Sequence, residues 1–95
     1  MGRDGATLAA VKQTLAQLAA KAPGKAIEVR VPPYAAIQCG SGPRHTRGTP
    51  PNLVEMNAET WLALASGTTA WDQAVASGQV RASGARADLH QYLPL

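Results

Sequence analysis

The stretch from Asn57 to Leu93 constrains the fold most, because glycines divide it into short units. Gly67, Gly78 and Gly84 each close one of these units. Glycine readily adopts the left-handed backbone conformation that ends helices, so the spacing predicts elements of about ten residues or fewer. We interpret the four units as a helix, a second helix, a strand and a last helix.

The first unit has the strongest helical signal. Asn57 is a favoured N-cap, and Gly67 lies where a left-handed C-terminal cap is expected. Between them, four residues at helical spacing predict one apolar stripe: Ala58, Trp61, Leu62 and Ala65.

The remaining three units follow the same logic. In the second helix, Thr69 is a candidate cap, and the predicted apolar face comprises Trp71, Ala74 and Val75. Residues 79–83 alternate between polar and apolar, which predicts a half-buried strand with Val80 and Ala82 on its inner side. The last helix is predicted to end at Pro94 and to have an inner face of Leu89, Tyr92 and Leu93. Helices this short are marginal alone, so we expect them to pack on a sheet.

The first half of the chain predicts a long helix and a strand pair. Residues 7–22 carry apolar side chains at helical spacing, with Asp4 or Thr7 as the cap. Residues 27–31 alternate cleanly, and a prolyl turn separates them from a second strand, residues 34–39. A link this short permits only antiparallel pairing.

Further extended segments complete the predicted fold. Residues 44–47 are a candidate third strand, and residues 53–56 resume extended structure before Asn57. The order predicts an α+β fold, with four helices on a mixed or mostly antiparallel sheet of four to five strands. At 95 residues, we expect one domain spanning residues 1–95.

The composition bounds both the core and the surroundings. Phe is absent and aromatic residues make up 4% of the chain, so small side chains either pack closely or leave room for a ligand. The net charge of +3 is spread along the chain, which is typical of a solvated surface. Cys39 is the single cysteine, and no apolar run approaches the ~20 residues that span a bilayer. We therefore expect a cytoplasmic protein.

One polar cluster stands out, at Arg44, His45 and Arg47. Two guanidinium groups near an imidazole suit a carboxylate or phosphate. The alternative is a solvated edge strand whose charges discourage pairing between sheets. The cluster lacks the aromatic set of an RNA-binding sheet and the pattern of a recognition helix, which disfavours a nucleic-acid partner.

The sequence carries no pattern typical of catalysis. Cys39 and His45 are near one another in sequence, but no third residue to orient the imidazole is evident. Two His and one Cys do not form a recognisable zinc motif, and the phosphate-loop and dinucleotide fingerprints are absent. We expect no catalytic residues, no metal and no cofactor.

The order of elements and their motifs resemble the sterol-carrier-protein-like (SCP-like) family, in particular its small single-domain branch found in actinobacteria. The similarity lies in Trp61-Leu62-Ala63-Leu64-Ala65-Ser66-Gly67, in residues 71–78, in residues 80–84 followed by Leu89 and Tyr92-Leu93, and in His45-Thr46-Arg47-Gly48-Thr49-Pro50-Pro51-Asn52. The resemblance implies a curved sheet covered by helices, with an apolar cavity between the layers. It also implies non-catalytic binding of fatty acyl chains, acyl-CoA or sterols.

The resemblance leads to specific site expectations. The expected apolar wall of the cavity comprises Val54, Met56, Trp61, Leu62 and Trp71, and the expected headgroup site comprises Arg44, His45 and Arg47. The alternative for the two tryptophans is that they fill the core. In that case the domain is a protein-interaction module with a filled cavity, acting through a homodimer or another protein partner.

Overall fold

The computed structural model describes residues 4–42 and 51–95. Within these residues the chain forms three helices and four strands. In chain order they are α1 (Gly5–Lys21), β1 (Ile27–Val31), β2 (Ala35–Cys39), β3 (Leu53–Glu55), α2 (Ala58–Ser66), α3 (Trp71–Ala76) and β4 (Arg81–Ser83). The predicted α+β class is confirmed, with three helices in the described residues instead of the four expected.

The four strands form one mixed sheet in the order β2-β1-β3-β4. β1 pairs antiparallel with β2 and parallel with β3, and β3 pairs antiparallel with β4. Val29 in the middle of β1 therefore lies between Ile37 and Val54. These three residues belong to the face of the sheet that packs toward the core, because alternate residues along a strand share a face.

The opposite face of the sheet carries a row of alternating charge. Glu28 accepts a hydrogen bond from Arg30 at 2.6 Å, and Glu55 accepts one from Arg81 at 3.2 Å. Arg30 and Glu55 are direct neighbours across the β1–β3 pair. The four side chains thus form a charge row, Glu28-Arg30-Glu55-Arg81, across three strands.

Asp4, one of the two predicted caps, is the N-cap of α1. Its carboxylate accepts hydrogen bonds from the Thr7 hydroxyl at 2.7 Å and from the backbone N–H of Ala6 at 3.3 Å. These bonds hold the pKa of Asp4 below its usual value. Lys21 occupies the last turn, where a positive charge suits the helix dipole.

The core lies between the helices and the inner face of the sheet. α1 contacts β2 and α2. Among the described residues, eleven apolar side chains from the helices, the strands and the last segment are essentially inaccessible to water: Trp61, Leu15, Leu18, Leu64, Leu89, Val11, Val29, Val31, Val54, Cys39 and Ala74. Trp61 is the largest of them, and it occupies the volume that the small side chains leave.

α2 forms as the sequence predicts. The side chain of Asn57 accepts a hydrogen bond from the Thr60 backbone N–H at 2.8 Å, which satisfies one free donor of the first turn. At the other end, Gly67 has φ of 86°, in the left-handed region. Both predicted caps of this helix are therefore present.

α3 differs from its prediction at Thr69 and at Val75. Its N-cap is Ala70, whose methyl side chain makes no hydrogen bond. The backbone N–H of Thr69 donates to the Ala63 carbonyl, so Thr69 belongs to the end of α2. Val75 is 38% exposed instead of buried. A six-residue helix has room for only a narrow buried face, formed by Trp71 and Ala74.

The predicted last helix is wrong, since residues 84–95 form turns and irregular structure. The Asp88 side chain accepts a hydrogen bond from the His90 backbone N–H at 2.9 Å, a local bond that competes with helix formation. Leu93 precedes a proline, which disfavours helical backbone. The short stretch between these two points is too short to form a stable helix alone. Leu89 is nevertheless fully buried.

β4 is shorter than predicted, and its inner residue is exposed. The strand begins at Arg81, and Val80 before it is buried as expected. Ala82 is exposed because β4 lies at the edge of the sheet. The predicted burial therefore holds for Val80, which precedes the strand, and does not hold for Ala82.

Asn52 connects three segments beside the sheet. Its amide group donates to the Ala26 carbonyl and accepts from the Arg86 backbone N–H, both at 2.9 Å. The Gly84 backbone packs so closely here that an added Cβ would lie 2.1 Å from the Pro51 carbonyl oxygen. This junction holds the segment after β4 against the sheet.

Candidate functional site

The five residues expected to line one apolar cavity belong to the core or pack against it. Val54 and Trp61 are fully buried within the core, and Met56 and Trp71 are nearly so. Leu62 is partly exposed and lies on the outer side of α2. The structure brings Val54, Met56, Trp61 and Trp71 together as packed core residues.

Leu62 lines a groove of about 660 Å³ between α1 and α2, which we call the α1–α2 groove. Its lining residues come from both helices and from the end of the sequence: Thr14, Gln17, Lys21, Leu62, Ala65, Ser66 and Leu95. The α1 residues are spaced by three and four positions, as are those on α2. Such spacing places each set on one helix face, so the two faces oppose each other across the groove.

The floor of the groove is held by hydrogen bonds. The Thr14 hydroxyl donates to the Ala10 carbonyl at 2.7 Å and accepts from the Trp61 indole N–H at 2.8 Å. Both side-chain polar groups are thereby satisfied within the protein. Neither group is therefore a free donor toward the groove, whose apolar lining comes from Leu62, Ala65 and Leu95.

Residues 92–95, which we call the strap, lie beside the groove, and Leu95 forms part of its wall. Lys21 donates from Nζ to the carbonyls of Tyr92 at 2.7 Å and of Pro94 at 3.1 Å. The backbone N–H of Leu95 donates to Ala65 at 3.0 Å. The strap is thus tied to both α1 and α2.

The sequence signals for this site were partly misread. Leu62 was among the expected wall residues, whereas Gln17 and Lys21 lie outside the apolar positions of α1 that the periodicity marks. The alkyl portions of such long side chains cover apolar surface while their polar ends reach water. Leu95 was missed because the segment before it was predicted to be helical.

Two other members of the expected wall, Trp71 and Met56, line two smaller depressions. Trp71 lines a depression of about 310 Å³ together with Leu64, Leu93 and Pro94. Met56 lines another of about 480 Å³, whose other residues include Glu55, Glu59 and Arg81. The second is polar and charged, which makes it less suited to an alkyl chain.

Three titratable groups bear on the question of catalysis. Cys39 is fully buried, and this burial raises the pKa of its thiol to about 11, so the reactive thiolate is disfavoured. His90 and Asp88 form an exposed pair with Nδ1 3.0 Å from the carboxylate. The hydrogen bond from the His90 backbone N–H is the largest influence that lowers the pKa of Asp88.

The expected headgroup cluster, Arg44, His45 and Arg47, lies outside the described residues. Among residues 4–42 and 51–95, no group of three or more His, Cys, Asp or Glu side chains is arranged to hold a metal ion. None of the helices in this part of the chain is long and apolar enough to cross a membrane.

Comparison with protein families decides the relationship that the motifs suggested. Residues 3–95 match a family described as bacterial SCP ortholog. The chain belongs to this family. The resemblance to SCP-like proteins is thus confirmed over nearly the whole chain, whereas no curated protein matches it significantly. Membership in the bacterial SCP family is consistent with the binding of apolar molecules in general and leaves the ligand open.

Proposed function

We propose that this domain binds an apolar or amphipathic small molecule of the fatty acyl or sterol class without catalysing a reaction. The binding site in this proposal is the α1–α2 groove. The observation that carries it is the coincidence of apolar lining with open volume, at Leu62, Ala65 and Leu95. The expected sheet–helix cavity instead contains the packed side chains of Val54 and Trp61.

The size of the groove supports this assignment. Its volume of about 660 Å³ falls within the range of roughly 300–1,000 Å³ that small-molecule sites commonly have. Each methylene group removed from water contributes about 0.8 kcal/mol. A Kd near 1 µM corresponds to about 8 kcal/mol, so roughly ten enclosed methylene groups are required before the cost of association is included. A medium-length alkyl chain meets this requirement.

The non-catalytic part of the proposal is supported by the state of the candidate reactive groups. The Cys39 thiol is inaccessible and its pKa is raised to about 11. The His90–Asp88 pair is exposed, away from the groove-lining residues. We also propose that the protein acts in the cytoplasm, as its single cysteine favours a reducing compartment.

The experiment is a titration with a fatty acid that carries a fluorescent group, followed by fluorescence polarisation. We expect saturable binding to the unaltered protein. We expect Leu62→Glu to abolish it, because a carboxylate in the groove would lose hydration when an alkyl chain covers it.

A matched control is Val75→Glu, which introduces the same charge at an exposed apolar residue of α3 that does not line the groove. This variant is expected to bind like the unaltered protein. Equal binding by the Leu62→Glu and Val75→Glu variants would exclude the groove as the site. Absence of saturable binding to the unaltered protein across fatty acids and sterols would exclude the function.

A second candidate function is a protein-interaction module with a filled cavity. The full burial of Trp61 and Val54 favours it, because these residues occupy the space that an internal ligand would need. Native mass spectrometry of the protein purified from its own host distinguishes the two candidates. A co-purifying lipid supports the carrier, whereas a lipid-free dimer or complex supports the module.

A further inference from the structure

The strap is fastened to two residues that line the α1–α2 groove, Lys21 and Ala65. Lys21 provides two of the fastening hydrogen bonds, to the carbonyls of Tyr92 and Pro94. The backbone N–H of Leu95 provides a third, to a carbonyl in α2. The Lys21 side chain is therefore the only side chain among these donors and acceptors.

The strap contributes residues both to the groove and to a second depression. Leu95 forms part of the groove wall. Leu93 and Pro94 form part of the wall of the 310 Å³ depression, together with Trp71. Pro94 lies over Gly67 at the end of α2, where an added Cβ would come within 3.4 Å of the proline ring. An alkyl chain lying in the groove would meet the strap before it reached the second depression.

We infer that the strap limits the length of the alkyl chain that the groove accepts, and that Lys21 is the positioning residue that keeps this limit in place. The inference rests on the proposed binding function. The Lys21 bonds are exposed, so water competes for them and they hold the strap only moderately. The helical hydrogen bonds of α1 do not involve the Lys21 side chain, so the strap can move while the helices stay intact.

The test measures the affinities of unbranched primary alcohols that differ by one methylene, in competition with the fluorescent fatty acid. For the unaltered protein, we expect the affinity to rise about fourfold per methylene while the chain lies in the groove, and then to stop rising. In Lys21→Met the same rise is expected to continue to longer chains. Methionine keeps an unbranched apolar side chain but donates no hydrogen bond.

Two variants serve as controls for the loss of charge and for the change of side chain. Lys21→Arg keeps donors at this position and is expected to restore the original limit. Lys12→Met makes the same substitution at an exposed residue of α1 that does not line the groove, so its limit should equal that of the unaltered protein. Circular dichroism establishes that each variant is folded.

A second measurement reports on the strap itself. The amide hydrogen of Leu95 is bonded to Ala65, so it should exchange with solvent faster in Lys21→Met than in Lys12→Met. An unchanged exchange rate, an unchanged chain-length limit, or an affinity that rises without limit in the unaltered protein would each overturn the role of the strap. If the affinities do not depend on chain length in any variant, the proposed function fails as well.

Discussion

The indole N–H of Trp61 in α2 donates a 2.8 Å hydrogen bond to the hydroxyl of Thr14 in α1. Trp61 is completely buried, so this bond satisfies a polar group that water cannot reach. Thr14 at the same time lines the α1–α2 groove. The bond thus joins α1 to α2 on the side that faces the core, next to the proposed site.

Removal of the acceptor should destabilise the fold. We expect Thr14→Val to lower the free energy of unfolding by about 1–3 kcal/mol, because it leaves the buried Trp61 N–H without a partner. Urea denaturation followed by tryptophan fluorescence measures the change. Thr68→Val, at an exposed residue, is the control and should change stability by less than about 0.5 kcal/mol. A loss no larger than that of the control would show that the Trp61 bond contributes nothing net.

Substitution of the α2 cap provides a second prediction. Asn57→Ala removes the acceptor for the Thr60 backbone N–H, and we expect it to cost about 1 kcal/mol. Thr69→Ala should have almost no effect, because the Thr69 side chain does not cap α3. Thermal denaturation of both variants makes the comparison. An equal loss of stability in both variants would indicate that Thr69 caps α3, as the sequence predicted, instead of Ala70.

Gly84→Ala should be among the most damaging single substitutions. Gly84 has φ of +111°, and an added Cβ would lie 2.1 Å from a backbone oxygen of Pro51. We expect the free energy of unfolding to fall by about 3 kcal/mol or more. Gly5→Ala adds the same methyl group where nothing lies within 4 Å, at the first residue of α1. This control should leave stability unchanged or raise it by up to about 1 kcal/mol. Comparable losses in both variants would contradict the close approach at Gly84.

The buried thiol leads to a prediction about pH and reactivity. In the folded protein the pKa of Cys39 is raised from 9.0 to about 11, so the folded state keeps a proton that the unfolded state releases. Stability should therefore fall as the pH rises from about 9 to about 11, and this slope should be smaller in Cys39→Val. A thiol reagent at pH 8 should label the protein only in denaturant. Rapid labelling of the native protein would contradict the burial.

The elements that the sequence predicted well are those whose signals lie in adjacent residues. The alternation over residues 27–31 matches β1 exactly, and Asn57 and Gly67 delimit α2 within one residue. Capping and alternation are local effects, so no knowledge of the rest of the fold is needed. The prediction for the last segment was wrong because the spacing of Leu89 and Tyr92 is also that of a helix. The periodicity does not show the competing hydrogen bond that the Asp88 carboxylate accepts from the His90 backbone N–H.

The candidate site could not be predicted in the same way. Periodicity shows which face of a helix is apolar, but it does not show which second helix that face meets. Leu62 lines the same groove as Thr14 and Gln17, which lie more than forty positions earlier in the chain. Only the assembled fold shows that these residues meet at one site. The surroundings of Trp61 also depend on the assembled fold, because its indole N–H bonds to Thr14, 47 positions earlier in the chain.

The charge row across the outer face of the sheet has a consequence for how molecules of this protein meet. Its signs alternate from Glu28 through Arg30 and Glu55 to Arg81. When two copies stack sheet against sheet, a shift of one position along the row changes attraction into repulsion. The charge row therefore restricts the registers in which two copies can meet through this face of the sheet.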